Sequence, residues 1–147
     1  MTKKERFVSN HLIKGLLVAT CLALLSMPIS ALGDKPSGGG STCASVDVPK
    51  LSPNTTTAGN WVGVFSRVIN CASGRQRYTV VFSATSACGE ETTFSSGRVA
   101  FNGGEAKLVS ATYPVAPDTC PGPCVVTVSV YAGSRVLASE SVTLTIQ

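Results

Sequence analysis

The stretch Tyr78-Thr79-Val80-Val81-Phe82-Ser83-Ala84-Thr85 places apolar side chains on one parity and mostly hydroxyl-bearing side chains on the other. The same alternation recurs in residues 126–131 and 142–146. A period of two is typical of a β-strand that has one buried face and one solvated face. No run of ten residues after residue 45 has the apolar spacing of an amphipathic helix. The sequence therefore predicts an all-β domain.

Turn-forming clusters that contain glycine separate these runs, as in Asn102-Gly103-Gly104. The expected strands cover residues 45–51, 59–70, 77–86, 92–95, 97–101, 105–113, 124–131 and 135–146. The pair within 92–101 counts as one strand if the chain is only kinked there, which leaves about seven strands. Glu140 falls on the buried parity of the last strand, so we expect a β-bulge near it. This pattern predicts a two-sheet antiparallel sandwich.

The first 33 residues have the organisation of a secretory signal peptide. A basic start precedes the apolar run 16–25, and Ala31-Leu32-Gly33 offers small residues for cleavage. A retained membrane anchor is the alternative, which Pro28 disfavours by interrupting the apolar run. Lipid attachment at Cys21 is also disfavoured, because a threonine precedes it. We expect a protein that is secreted or lies in the periplasm or cell envelope, with no membrane span after cleavage.

After the signal peptide we expect a Gly/Ser-rich linker over residues 34–44 and one domain over residues 45–147. The full chain has a formal net charge of +4. The part after residue 33 has eight Lys or Arg and seven Asp or Glu, so its net charge is about +1. Nucleic acid is therefore not an expected partner.

The only histidine, His11, lies in the signal peptide. The exported part has no imidazole for a catalytic triad or a histidine metal site. It also has no recognisable nucleophile motif or pair of carboxylates suited to acid–base work. We therefore expect no enzymatic activity, no cofactor and no metal.

Three valine-rich segments carry a resemblance to a known family: residues 59–64 (Gly-Asn-Trp-Val-Gly-Val), 68–70 (Val-Ile-Asn) and 78–82 (Tyr-Thr-Val-Val-Phe). They resemble the second and third strands of bacterial immunoglobulin-like domains of the cell-adhesion-related, CARDB-like group. Residues 103–113 and 121–130 are similar to the entries of that family's fifth and sixth strands. The resemblance implies an immunoglobulin-like two-sheet antiparallel sandwich that serves as an extracellular binding or scaffolding module without catalysis.

Five cysteines remain after export, and an oxidising compartment favours disulfides between them. In a sandwich with alternating strand directions, Cys43 and Cys71 fall at one end. The remaining three, Cys88, Cys120 and Cys124, fall at the other. Bridged Cα atoms lie within roughly 4.4–6.8 Å, so each cysteine must pair at its own end.

We therefore predict Cys43–Cys71, and Cys88 with either Cys120 or Cys124. A local Cys120–Cys124 bridge, which leaves Cys88 unpaired, is the alternative. The odd thiol could also pair with another molecule. The C-x3-C spacing is atypical of redox motifs, and three thiolates without histidine are a poor metal site.

Trp61 is the only tryptophan in the chain. It shares a strand face with Phe65 and Ile69, and we expect it to pack in the core or in an interface. An exposed platform for a sugar ring is the alternative. The loops at 72–77 and 132–135 should meet at one end of the sandwich and bring Arg75, Arg77 and Arg135 together as a candidate surface for binding a partner.

Two functions follow from these observations. The first is an interaction module that binds a protein partner of the cell surface or envelope through surface contact or edge-strand pairing. The second is a carbohydrate-binding module that uses Trp61 and neighbouring aromatic residues.

Overall fold

The computed structural model describes residues 41–147, which form nine β-strands and no helix. The strands are β1 (Ala44–Val46), β2 (Lys50–Ser52), β3 (Thr55–Thr56), β4 (Trp61–Asn70), β5 (Gln76–Thr85), β6 (Glu91–Phe101), β7 (Ala106–Pro114), β8 (Gly122–Ala132) and β9 (Arg135–Ile146). The prediction of an all-β sandwich is confirmed. The predicted signal peptide and residues 34–40 of the predicted linker lie outside the described residues.

Two sheets form the sandwich. In the first, β4 is central, β1 and β2 pair antiparallel with one of its edges, and β7 pairs antiparallel with the other. The second sheet has the order β3-β9-β8-β5-β6, in which only β3 is parallel to its neighbour. The strand predicted at 45–51 is thus two short strands. Pro49 lies in the break, where its missing N–H cannot join a ladder.

The two strands predicted within 92–101 are one kinked strand, β6. The register of β6 against β5 shifts between Phe82 and Ser83, where Phe94 is the extra residue. The Phe94 ring packs against the core, with its centroid 6.1 Å from that of Phe82 and 4.8 Å from that of Tyr113. This stack of rings joins the two sheets.

The core consists mainly of valines that alternate with outward-facing polar residues. In β4 the buried parity is that of Val62, Val64 and Val68, each fully buried, which settles which face of this strand is inside. The predicted buried parities of β5 and β8 are confirmed. The core side chains of β5 and β8 are Tyr78, Val80, Phe82, Ala84, Cys124, Val126, Val128 and Val130.

The bulge in β9 lies at Leu137, three residues before Glu140. It therefore leaves Glu140 on the inner parity, opposite the buried Val128, and yet this glutamate is exposed. Along most of its length β9 is an edge strand, because β3 pairs only with Thr145 and Ile146. An inward carboxylate at an edge still reaches solvent and discourages pairing with other strands.

One disulfide lies at each end of the sandwich. Cys43–Cys71 has a Cα–Cα distance of 5.0 Å, and Cys88–Cys120 has one of 6.0 Å. Each bridge joins cysteines that the topology places at the same end. Cys124 is free and buried in β8, so the local Cys120–Cys124 bridge is absent. The segment from residue 41 to 147 contains no helix that is long and apolar enough to cross a bilayer.

Candidate functional site

A polar network around Asn70 fixes the loops at the Cys43–Cys71 end. The Asn70 side-chain amide donates to the carbonyls of Gly74 and Asn102, at 2.9 and 2.7 Å. Its Oδ1 accepts from the backbone N–H of Ala72 at 3.1 Å and from the Tyr78 hydroxyl at 2.8 Å. Asn70 is fully buried, so these bonds replace the water that its amide loses.

Tyr78 extends this network to the N-terminal strand. Its hydroxyl also lies 2.8 Å from the Cys43 carbonyl, so its single hydrogen is shared between two acceptors. Burial raises the pKa of Tyr78, an effect that the bond to Cys43 partly offsets. The disulfide and this network together hold the loops beside the predicted arginine surface.

The surface expected from Arg75, Arg77 and Arg135 stays a prediction. The guanidinium of Arg135 donates to the Thr42 hydroxyl, next to β1. Arg75 lies exposed in the loop before β5. Arg135 lines a recess together with Thr42, Cys43 and Ala44 of the N-terminal segment.

Arg77 lies near Arg98, a neighbour that sequence reasoning missed. These two arginines, with Thr79 and Gly133, line a recess of about 350 Å³. Arg98 lies opposite Thr79 in the β5–β6 register, diagonal to Arg77. Neither arginine forms an ion pair with another residue of the described range. Only the strand register could have revealed this pair from the sequence.

A second candidate surface, here called the aromatic face, consists of Trp61, Phe65, Leu108 and Pro114 on the outer side of the four-stranded sheet. Trp61 is 66% exposed, Leu108 73% and Phe65 38%. Trp61 therefore does not pack in the core, because the valines of β4 take the inner parity; its packing in an interface stays a prediction. Trp61 lies beside Pro114 in the β4–β7 register, and Leu108 lies beside Arg67.

The Phe65 ring lies over Gly63 of its own strand. A Cβ atom added at Gly63 would come within 2.9 Å of the Phe65 Cε2 atom, so a larger residue at position 63 would displace the ring. Thr112 and Ser52 flank Gly63, and Ser110 and Lys50 flank Phe65 in register. Hydroxyl groups and one ammonium group thus surround the ring.

A shallow recess of about 360 Å³ adjoins Trp61 at the Cys88–Cys120 end. Residues 59–61 form one side of it and residues 114–117 the other, with two prolines in the second segment. Trp61 and the two prolines give this recess a mainly apolar lining, which suits an apolar anchor from a binding partner.

The thiol of Cys124 is buried in β8, beside Tyr113 of β7. Burial raises the pKa of the Cys124 thiol, which favours the unreactive protonated form. Burial also raises the pKa of Tyr113 to about 12, and Cys124 adds to the shift. Within residues 41–147 no three His, Cys, Asp or Glu side chains cluster as metal ligands.

No family model matches the sequence, and no curated protein matches it. Solved structures do match. One is a β-glucosidase of Erythrobacter marinus, with a TM-score of 0.60 and 12% identity over 72% of this chain and 16% of that chain. This chain therefore corresponds to a small part of that enzyme.

Two further structures match over a larger share of their own length. The sporulation control protein Spo0M of Bacillus subtilis has a TM-score of 0.52 and 18% identity over 71% of this chain and 49% of its own. The CARDB domain of the PF1109 protein of Pyrococcus furiosus, solved with di-metal ions, has a TM-score of 0.52 and 13% identity over 71% of this chain and 90% of its own. At these identities the likeness concerns the fold, and it supports the CARDB-like resemblance at that level.

Proposed function

We propose that the protein is an exported, non-catalytic immunoglobulin-like module that binds a protein partner of the cell surface or envelope through its aromatic face. The observation that carries the proposal is the grouping of Trp61, Phe65 and Leu108 on one outer sheet face. Single exposed apolar residues are ordinary, whereas a group of large ones marks an interaction site.

The composition of the face fits a protein contact. Tryptophan is enriched among residues that dominate binding energy, because it offers a large contact area at a small cost in side-chain entropy. Leu108 adds an aliphatic contact that protein interfaces commonly bury. Around these residues Lys50, Arg67 and Asp47 form a charged rim, and Arg67 and Asp47 pair at 3.1 Å.

Two disulfides within about 100 residues support an oxidising location, outside the cell or in the periplasm. They agree with the export expected from the predicted signal peptide. If the protein acts in adhesion or envelope assembly, its partner lies in that same oxidising compartment.

A carbohydrate ligand is the second candidate, and the geometry of Phe65 is the observation that favours it. Its ring lies over Gly63 and is 38% exposed, with the hydroxyl-bearing Ser110 and Thr112 on the neighbouring strand. A sugar ring needs such a flat apolar surface beside hydrogen-bonding groups. Leu108 offers neither a flat ring nor a hydrogen-bonding side chain, so it has no comparable role in sugar binding.

The test measures binding of the purified domain to envelope material of the exporting cell. The material is used untreated, treated with protease, or stripped of glycans. Trp61→Ser and Leu108→Ser should each weaken saturable binding about 30-fold, the usual effect of a binding hot spot. Val125→Ser and Val136→Ser are matched controls, since these valines are 42% and 51% exposed on the other sheet. They should leave binding unchanged.

Protease treatment should abolish binding, and glycan removal should not. The opposite pattern would replace the protein partner with a carbohydrate. Wild-type binding by both Trp61→Ser and Leu108→Ser would show that this face is not the contact surface.

A further inference from the structure

The sandwich has four sheet edges, and three of them carry features that discourage pairing. The β1–β2 edge is interrupted at Pro49. The β9 edge has a bulge and the inward Glu140, and the β6 edge has a bulge and the exposed Arg98. Such interruptions, bulges and charges are how sheets avoid adding foreign strands.

The fourth edge, that of β7, lacks these features. β7 has nine residues, a regular register with β4, no proline before its last residue and a single charge, Lys107. That ammonium group donates to the Ala100 carbonyl of β6 at 2.6 Å, so it lies across one end of the gap between the sheets. Among the described residues no strand pairs with the outer edge of β7.

A slot of about 290 Å³ opens between β6 and β7. Core side chains form its apolar walls, among them Val80, Phe82 and Val109. On β6 the slot is lined by Ser95, whose side chain is small, and by Gly97, which has no side chain. Neither residue fills the slot. A Cβ atom added at Gly97 would meet no atom within 4 Å.

The topology explains why the slot is open. The chain passes from β6 in one sheet to β7 in the other through residues 102–105 alone. No strand of the domain therefore lies between these two edges. The slot has the walls and the backbone edge that an added strand requires.

Charge differs between the two ends of this open side. Lys107 lines one end of the slot and pairs with Glu105 at 3.5 Å, and Arg98, which forms no ion pair among residues 41–147, follows Gly97 on the adjacent strand. Beyond the stacked rings of Phe94 and Tyr113, a smaller recess of about 70 Å³ is lined by Glu90 and Asp118. A strand antiparallel to β7 would start at the acidic end and finish at the basic end.

We propose that the free edge of β7 binds an extended segment of a partner protein by β-strand addition. Alternate apolar side chains of the segment enter the slot at Gly97. A basic residue precedes them near Glu90, and an acidic residue follows them near Lys107. This site adjoins the aromatic face, because Leu108 also lines the slot, and it adds a second contact surface on the same sheet.

The test measures binding of the labelled peptide Lys-Val-Thr-Val-Thr-Val-Glu to the folded domain by fluorescence anisotropy. Gly97→Leu fills the slot from within, and no positive φ at this residue opposes the change. The control is Ser96→Leu, which places the same side chain on the outer face of the sheet, in register with Val81. Gly97→Leu should weaken binding at least about tenfold, and Ser96→Leu should not.

Two altered peptides test the geometry on the wild-type domain, independently of any variant. Methylation of alternate backbone nitrogens on the β7-facing side should abolish binding, because it removes the donors of strand pairing. The peptide with Lys and Glu exchanged should bind at least about threefold more weakly.

Equal binding by the wild type and Gly97→Leu would overturn the proposal, as would full binding of the methylated peptide. Absence of peptide binding would also overturn it. If the slot instead takes a second copy of this chain, sedimentation will show a dimer that Gly97→Leu dissociates while the peptide does not bind.

Discussion

Replacement of Asn70 by alanine should destabilise the domain more than most single substitutions. Asn70 is fully buried and makes four side-chain hydrogen bonds, to Gly74, Asn102, Ala72 and Tyr78. Each hydrogen bond contributes about 1 kcal/mol, and buried partners left without a bond raise the cost. We therefore expect a loss of about 4 kcal/mol, a large share of the roughly 5–15 kcal/mol typical of a domain.

Urea unfolding, followed by circular dichroism, measures this loss. With a slope of about 1–2 kcal/mol per molar urea, the midpoint should fall by about 2–4 M with the slope unchanged. Asn60→Ala is the control, because Asn60 makes one exposed side-chain hydrogen bond, to Thr57. It should change stability by less than about 0.5 kcal/mol.

A double-mutant cycle with Tyr78→Phe isolates the bond that the two side chains share. The double variant should lose less than the sum of the single losses, because both single variants break that bond. Strict additivity, or a loss below about 1 kcal/mol for Asn70→Ala, would refute the role assigned to this network.

Three further predictions concern the other end of the sandwich. Replacing Cys88 and Cys120 by serine opens a bridge with a sequence separation of 32 residues. By loop entropy this should cost about 3.5–4 kcal/mol in urea unfolding, and a cost below about 1 kcal/mol would contradict it. Burial raises the pKa of Tyr113 to about 12 from 10.0. Its neutral phenol therefore stabilises the fold fully below pH 10, and that contribution is lost as the pH rises from 10 to about 12. Alkaline titration of Tyr113→Phe should show a smaller loss than the wild type, and identical curves would exclude the effect. Finally, Cys124 is buried with a raised thiol pKa, so a disulfide reagent should label it only in urea, and rapid labelling of the native domain would contradict its burial.

Local pattern was enough to predict the strands whose two faces differ in chemistry. In β5 the alternation of Tyr78 and Val80 with Thr79 leaves one possible inner face, and the structure has that face buried. The kinked strand β6 was also foreseen as one of two options, because its pattern changes parity near Phe94. These features depend on residues close in sequence.

Features that depend on distant partners were not predictable in this way. Both parities of β4 are apolar, so only packing against the second sheet decides that Val62 is buried and Trp61 is exposed. The division of the first strand at Pro49 and the pairing of Arg77 with Arg98 both require the strand register. The candidate sites therefore emerge from tertiary structure, whereas the fold class is visible in the sequence.

The fluorescence of Trp61 tests the proposed contact surface most directly, because Trp61 is the only tryptophan in the chain. Acrylamide should quench its emission strongly in the free domain, where the side chain is 66% exposed. When the domain is saturated with protein-bearing envelope material, we predict that the emission shifts to shorter wavelength and that quenching falls several-fold. Saturable binding with unchanged emission and unchanged quenching would contradict the account.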